Sequence, residues 1–222
     1  MKDLVKRAER FARVCHAGQC RKGTAKEPYT VHLEEVSSLV EAWGGSEEAI
    51  AAAWLHDTVE DCPPTSHKDL VAEFGLYVAE LVAELTDDVS LPTPTRKERQ
   101  IETAPLKSDE AALVKLADKT SNVGAIAKSP PEGWSLARRL QYIAWAEKVV
   151  SARPDLPQKG LNEFKRRCEQ AELQAYMDQV TERQAQNAAL RIMEQEALQA
   201  GKSQERADKF LLKLISDTLK TS

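Results

Sequence analysis

The chain has 222 residues, a formal net charge of −4 and four cysteines, Cys15, Cys20, Cys62 and Cys168, with no CxxC pair and no metal-finger spacing. That length bounds one well-filled domain or one domain with an appendage, and the acidic balance excludes a nucleic-acid backbone as the main partner. Scattered thiols fit a reduced, cytoplasmic protein; no apolar run is long enough to cross a bilayer, and Met1-Lys2-Asp3-Leu4 lacks a signal-peptide core.

Leu4, Ala8, Phe11, Ala12 and Cys15 follow the helical period and predict a first amphipathic helix ending near His16-Ala17-Gly18. A polar loop with adjacent basic residues follows, from Gln19 to Pro28, and includes Arg21 and Lys22. Leu33, Val36, Leu39, Val40 and Trp43 then trace a second helix with His32 at its start. Ser46-Glu47-Glu48 is a helix start, and the Ala-rich run after it carries Trp54-Leu55-His56-Asp57-Thr58-Val59-Glu60-Asp61 before stopping at Cys62-Pro63-Pro64. Read as one continuous helix, this segment puts His56 under Glu60 and Asp57 under Asp61, each pair on a single face.

Ser66-His67-Lys68-Asp69 is a capping-box pattern opening a fourth helix, and a fifth covers Tyr77 to Leu85. The proline-punctuated stretch from Thr86 to Thr95 reads as a surface loop. Helices are expected from Thr95 to Thr103, from Asp109 to Ala127 with Asp118 inside an apolar segment, and from Ser135 to Val150 with Leu136, Leu140, Ile143, Ala144 and Ala146 inward. Nothing alternates strictly enough for a half-buried strand, so the expected class is all-α. After Pro157 proline disappears, and Gln, Glu, Arg and Ala dominate one or two long exposed helices. Gly201 is expected to interrupt them before an amphipathic C-terminal helix carrying Phe210, Leu211, Leu214, Ile215 and Leu219, whose apolar face needs cover from the body or a partner chain.

His32, the His56-Asp57 pair and Asp118 come from three helices, and two imidazoles with two carboxylates suit a divalent transition metal such as manganese, iron or zinc. Glu60 and Asp61, one turn on, could orient or deprotonate a water activated by that metal. His16 and His67 lack such company and read as structural, His16 with an added option of a second-layer or substrate contact. Arg21 and Lys22 could grip a phosphate-rich ligand, and Asn122 lies one turn beyond Asp118 on the same face.

The segments His16-Ala17-Gly18-Gln19-Cys20-Arg21-Lys22, Glu27-Pro28-Tyr29-Thr30-Val31-His32, Leu55-His56-Asp57-Thr58-Val59-Glu60-Asp61, Leu85-Thr86-Asp87-Asp88, Val114-Lys115-Leu116-Ala117-Asp118-Lys119 with Asn122, and Pro131-Glu132-Gly133-Trp134 resemble those of the small alarmone hydrolases. These are the stand-alone HD-domain hydrolases of the RelA/SpoT superfamily. The resemblance covers roughly residues 1–153 and implies an HD-domain helical bundle, one manganese ion, and hydrolysis of the 3′-pyrophosphate of ppGpp- or ppApp-type purine nucleotides. It implies metal ligation by His32, His56, Asp57 and Asp118, handling of the nucleophilic water by Glu60 and Asp61, and substrate contacts from Arg21, Lys22, Asn122, Arg138 and Tyr142. With the change of composition after Pro157, the expected division is an HD hydrolase domain over 1–157 and a helical extension over 158–222. Some positions depart from the pattern. Val89 stands where relatives often carry lysine, His32 sits in Val-His-Leu, Thr120-Ser121 replace bulkier residues, and the extension is longer than the family requires. An HD phosphohydrolase acting on another nucleotide such as NADPH, or a degenerate nucleotide-binding or interaction protein working through its tail, are the alternative readings. The tail would also suit a homo-oligomer.

Overall fold

Amphipathic periodicity and serine caps set the helices. Ser46, Ser108 and Ser135 each accept a backbone N–H three residues on, from Ala49, Ala111 and Arg138, and acidic residues fill the first turn behind two of these caps. In a computed structural model, which describes residues 2–219 without the side chains of residues 2, 207, 210, 211 and 214–219, the elements run as follows. Helix α1 spans Lys2–Cys15, α2 Tyr29–Ala42, α3 Glu47–Leu55, α4 Thr58–Asp61, α5 His67–Phe74 and α6 Leu76–Leu85. After α7 (Thr93–Thr103) and a single 3₁₀ turn come α8 (Asp109–Lys128), α9 (Leu136–Ser151) and α10 (Gln158–Leu219). The described residues contain no strand, only isolated bridges at Cys20–Pro28 and Gly23–Pro131, so the all-α expectation holds.

Helix α8 is the axis. Every residue from Ala111 to Ser121 is buried, as befits a helix packed on all sides, and its neighbours are α2, α3, α6 and α9. The Ala-rich α3 packs against α1, α2, α6 and α8, and its small side chains let the backbones approach closely enough to bring His56 beside Asp118. Leu33, Leu55, Leu81, Leu116 and Ile143 fill the space between.

Three expectations need correction. The segment through Asp61 is not one helix: α3 stops at Leu55 and α4 restarts at Thr58, with His56 and Asp57 forming the turn between. Ala144 faces solvent on α9. Gly201 does not interrupt α10, because one glycine in an exposed helix costs only about 1 kcal/mol against alanine and strong helix formers flank it. The side chains of Phe210, Leu211, Leu214, Ile215 and Leu219 lie outside the described residues.

The chain divides into two compact units, Met1–Ala175 and Tyr176–Ser222. The first turns of α10 belong to the first unit, where Phe164, Cys168 and Ala171 join the hydrophobic core. In the second unit Leu190, Ile192, Met193 and Leu198 are exposed. All four cysteines are free, and among the described residues no helix is long and apolar enough to cross a membrane. Phe164→Ala should therefore lower unfolding stability by about 3–5 kcal/mol in urea titrations. A chain ending at residue 157 should lose more still, and one ending at 175 should keep the wild-type midpoint of the first unit.

Candidate active site

The site begins where α3 ends. His56 Nδ1 lies 2.8 Å from the Ala53 carbonyl, which can only accept, so Nδ1 carries a proton and the neutral imidazole presents its lone pair at Nε2. Thr58 Oγ1 donates to the Leu55 carbonyl at 2.6 Å. Side chains thus satisfy two carbonyls of the last turn, the helix can break, and Asp57 (φ −101°, ψ −2°) turns inward beside His56. A continuous helix would have left the two neighbours pointing in different directions.

His32 arrives from the first turn of α2 and Asp118 from the middle of α8. His32 Nδ1 faces Ser121 Oγ at 2.9 Å, and that hydroxyl donates its single proton to Glu35 Oε2 at 2.5 Å. Ser121 therefore accepts from His32, which leaves His32 Nε2 unprotonated and aimed at the carboxylates, 3.5 Å from Asp118 Oδ1 and 3.7 Å from Asp57 Oδ2. His56 Nε2 is 2.9 Å from Asp57 Oδ2 without the alignment of a hydrogen bond, and 4.0 Å from Asp118 Oδ1. The donor atoms of His32, His56 and Asp118 all lie within 4.8 Å of one another, and all three residues are buried. Such a His-His-Asp group can hold a metal ion, and nitrogen with carboxylate oxygen suits a transition metal.

The electrostatics agree. Burial alone would depress His56, but Asp57 and Asp118 carry it up to about 9, so the cluster draws positive charge to itself. Against burial, Lys119 at 3.1 Å, the His32 imidazole at 3.5 Å and Lys115 at 4.0 Å hold the Asp118 carboxyl well below the usual range. These groups supply the partner that a buried aspartate requires, together with the amide of Asn122.

Glu60 and Asp61 follow on α4. Burial lifts Glu60 to about 7, with Asp57 and Asp87 adding to the effect and a backbone N–H from Asp87 opposing it. Burial and Asp57 also raise Asp61, which reaches a cleft of about 610 Å³ beside the cluster. Arg21, Lys22, Asn122, Trp134 and Tyr142 line the same cleft. Arg21 donates to Asn122 Oδ1 at 2.8 Å, which ties the basic loop to α8. The loop is tied a second time further on. Gly23 pairs with Pro131, Thr24 N–H donates to the Pro130 carbonyl at 3.1 Å, and a Cβ on Gly23 would fall 2.3 Å from the Ser129 carbonyl. Arg138 is exposed, its guanidinium 5.0 Å from the centre of the Trp134 ring, and does not line the cleft.

Several contacts were not singled out from the sequence. Tyr29 donates to Asp57 Oδ2 at 2.6 Å while its ring stacks on His16 at 4.9 Å, so His16 serves the cluster from one residue away. Tyr29 and Glu35 sit three residues either side of His32, a helical spacing that places both on its face and could have revealed them. Lys115 and Lys119 had no such signal, since lysines in a helix are usually solvated. His67 pairs with Glu80 at 3.3 Å, away from the cleft.

Residues 8–147 match a family model described as an HD domain. The chain is 42% identical over 149 residues to the guanosine-3′,5′-bis(diphosphate) 3′-pyrophosphohydrolase MESH1 of Xenopus tropicalis, covering 66% of this chain and 83% of that protein. To the Homo sapiens protein of the same name it is 40% identical over 163 residues, covering 72% and 86% respectively. A solved structure described as a metazoan ortholog of SpoT that hydrolyses ppGpp superimposes with a TM-score of 0.72 and 36% identity, over 77% of this chain and 96% of that one. Sequence and fold thus agree over most of each relative's length, and the chain belongs to the HD-domain family, among its small alarmone hydrolases.

Proposed function

We propose that the protein hydrolyses the 3′-pyrophosphate of ppGpp- or ppApp-type purine nucleotides, releasing pyrophosphate and a nucleoside diphosphate. The observation that carries this reading is the convergence of His32, His56, Asp57 and Asp118 behind Tyr29 and Asn122, which bond to Asp57 and Asp118 and line a cleft together with Asp61, Arg21 and Lys22. In this reading those four side chains hold one divalent ion, manganese. When bound, the ion lowers the pKa of a water and neutralises charge at the phosphorus.

The chain's own residues do the rest. Glu60, kept close to neutral pH by burial, accepts the proton of the attacking water, and Asp61 orients it. Attack falls on the phosphorus joined to the ribose 3′-oxygen, which leaves and takes up a proton. Arg21 and Lys22 hold the departing pyrophosphate, with Arg21 aimed by its bond to Asn122. Trp134 and Tyr142 offer ring faces to the purine, and Arg138, stacked on Trp134 outside the cleft, would have to swing off that ring to meet the ligand's outer phosphates. Four free cysteines and a net charge of −4 suit a reducing cytoplasm.

Purified protein with Mn²⁺ should release pyrophosphate from ppGpp or ppApp, chelation should stop it and added Mn²⁺ restore it. Absence of pyrophosphate with both nucleotides would overturn the reading. Glu60→Gln should lower kcat by about 10²–10⁴-fold. Because Glu60 must be ionised to accept a proton, kcat/KM should climb with pH up to about 7 and then level, a bound cation moving the rise to lower pH. In Glu60→Gln that limb should vanish from the pH–rate profile.

A further inference from the structure

The His32–Ser121–Glu35 chain does not end at Glu35. Arg167, on α10 within the first compact unit, donates from Nη1 to Glu35 Oε1 at 2.6 Å and from Nε to Glu163 Oε1 at 2.9 Å. Its side chain is only 14% exposed, so the guanidinium is largely buried against the body. The body makes room for it: a Cβ on Gly124, in the middle of α8, would lie 2.6 Å from Arg167 Nη1 and 3.1 Å from its Cδ. Glycine inside a helix is otherwise unfavourable, and here it opens the path by which Arg167 crosses α8 to reach α2.

We propose that Arg167, through Glu35 and Ser121, is a positioning residue for the metal site, fixing the tautomer and ring orientation of His32, so that the first turns of the C-terminal helix are part of the hydrolase. This rests on the reading that His32 binds the metal. Ser121 has one proton. While it is given to a Glu35 carboxylate, the Ser121 oxygen must accept from His32 Nδ1, and His32 Nε2 keeps its lone pair for the ion. Were Glu35 displaced, the hydroxyl could instead donate to Nδ1, moving the imidazole proton to Nε2, where it blocks coordination. Arg167 prevents this by holding Glu35 in place and ionised. Burial works against that ionisation, and the hydrogen bonds from Ser121 and Arg167 outweigh it, holding Glu35 below its ordinary range. Arg166 provides an internal comparison, since it pairs with Glu163 from the same helix turn but is exposed and does not touch Glu35.

The test measures Mn²⁺ affinity of the metal-free full-length protein by calorimetry alongside alarmone hydrolysis, for wild type, Arg167→Ala, Arg167→Lys, Glu35→Gln and Arg166→Ala. Arg167→Ala and Glu35→Gln should weaken Mn²⁺ binding about 10–100-fold, the range typical for partners that orient a ligating histidine. Arg167→Lys, which keeps the charge beside Glu35, should recover part of that loss, and Arg166→Ala should bind within about twofold of wild type, as a solvated pair predicts. Gly124→Ala, which pushes the guanidinium aside without removing it, should weaken Mn²⁺ binding as Arg167→Ala does. Arg167→Ala and Glu35→Gln proteins that bind Mn²⁺ as wild type does would overturn the inference. A wild-type protein that binds no Mn²⁺ would instead overturn the metal reading on which it rests.

Discussion

The structure depends on one unfavourable act, the burial of ionised carboxylates in a helical core. Asp118 sits in the middle of α8 with its side chain 8% exposed, and an isolated carboxylate there would cost several kcal/mol. Its immediate compensation is lateral: Lys119 and Lys115 from its own helix, Asn122 one turn on, and two imidazoles, one from α2 and one from the turn after α3. A group that needs so many partners fixes the relative position of the helices that supply them. Small residues follow from the same demand, because the run from Ala51 to Ala53 lets α3 lie close enough to α8 for His56 to reach across.

A break in regular structure does the remaining work. Adjacent residues on an α-helix diverge by about 100°, so His56 and Asp57 could not address one point from within a helix. Two short-range bonds, from His56 Nδ1 and Thr58 Oγ1 to carbonyls of α3, replace those the helix would have made onward, and the backbone can turn at little cost. The bond from His56 serves twice, closing the helix and setting the imidazole tautomer.

Much of this was legible beforehand. Helical periodicity, serine caps and the absence of alternation gave the all-α class and nearly every helix, because amphipathic burial and capping are local effects. The four candidate ligands could be named because charged or imidazole side chains inside apolar runs demand a reason, and the structure brings His32, His56, Asp57 and Asp118 together. What stayed hidden was long-range. The turn at His56-Asp57 depends on side chains capturing carbonyls, which no period reveals. Arg167 lies 132 positions from Glu35 in a stretch whose composition reads as a solvated helix, and only the fold shows that its first turns are half inside. Arg138 illustrates another limit: the family resemblance implied a substrate contact, and its guanidinium lies against Trp134 at the surface.

The double tie between the basic loop and the α8–α9 connection has a consequence for how substrates are chosen. Gly23 with Pro131 and Thr24 with Pro130 join the two walls of the cleft by backbone contacts, Ala25 N–H donates to the Ser129 hydroxyl, and Arg21 with Asn122 joins them again nearer the metal cluster. Walls bonded to each other move together, so the mouth behaves as a gauge of fixed bore. In the proposed reaction, discrimination then falls to the dimensions and charge of the molecule presented to it.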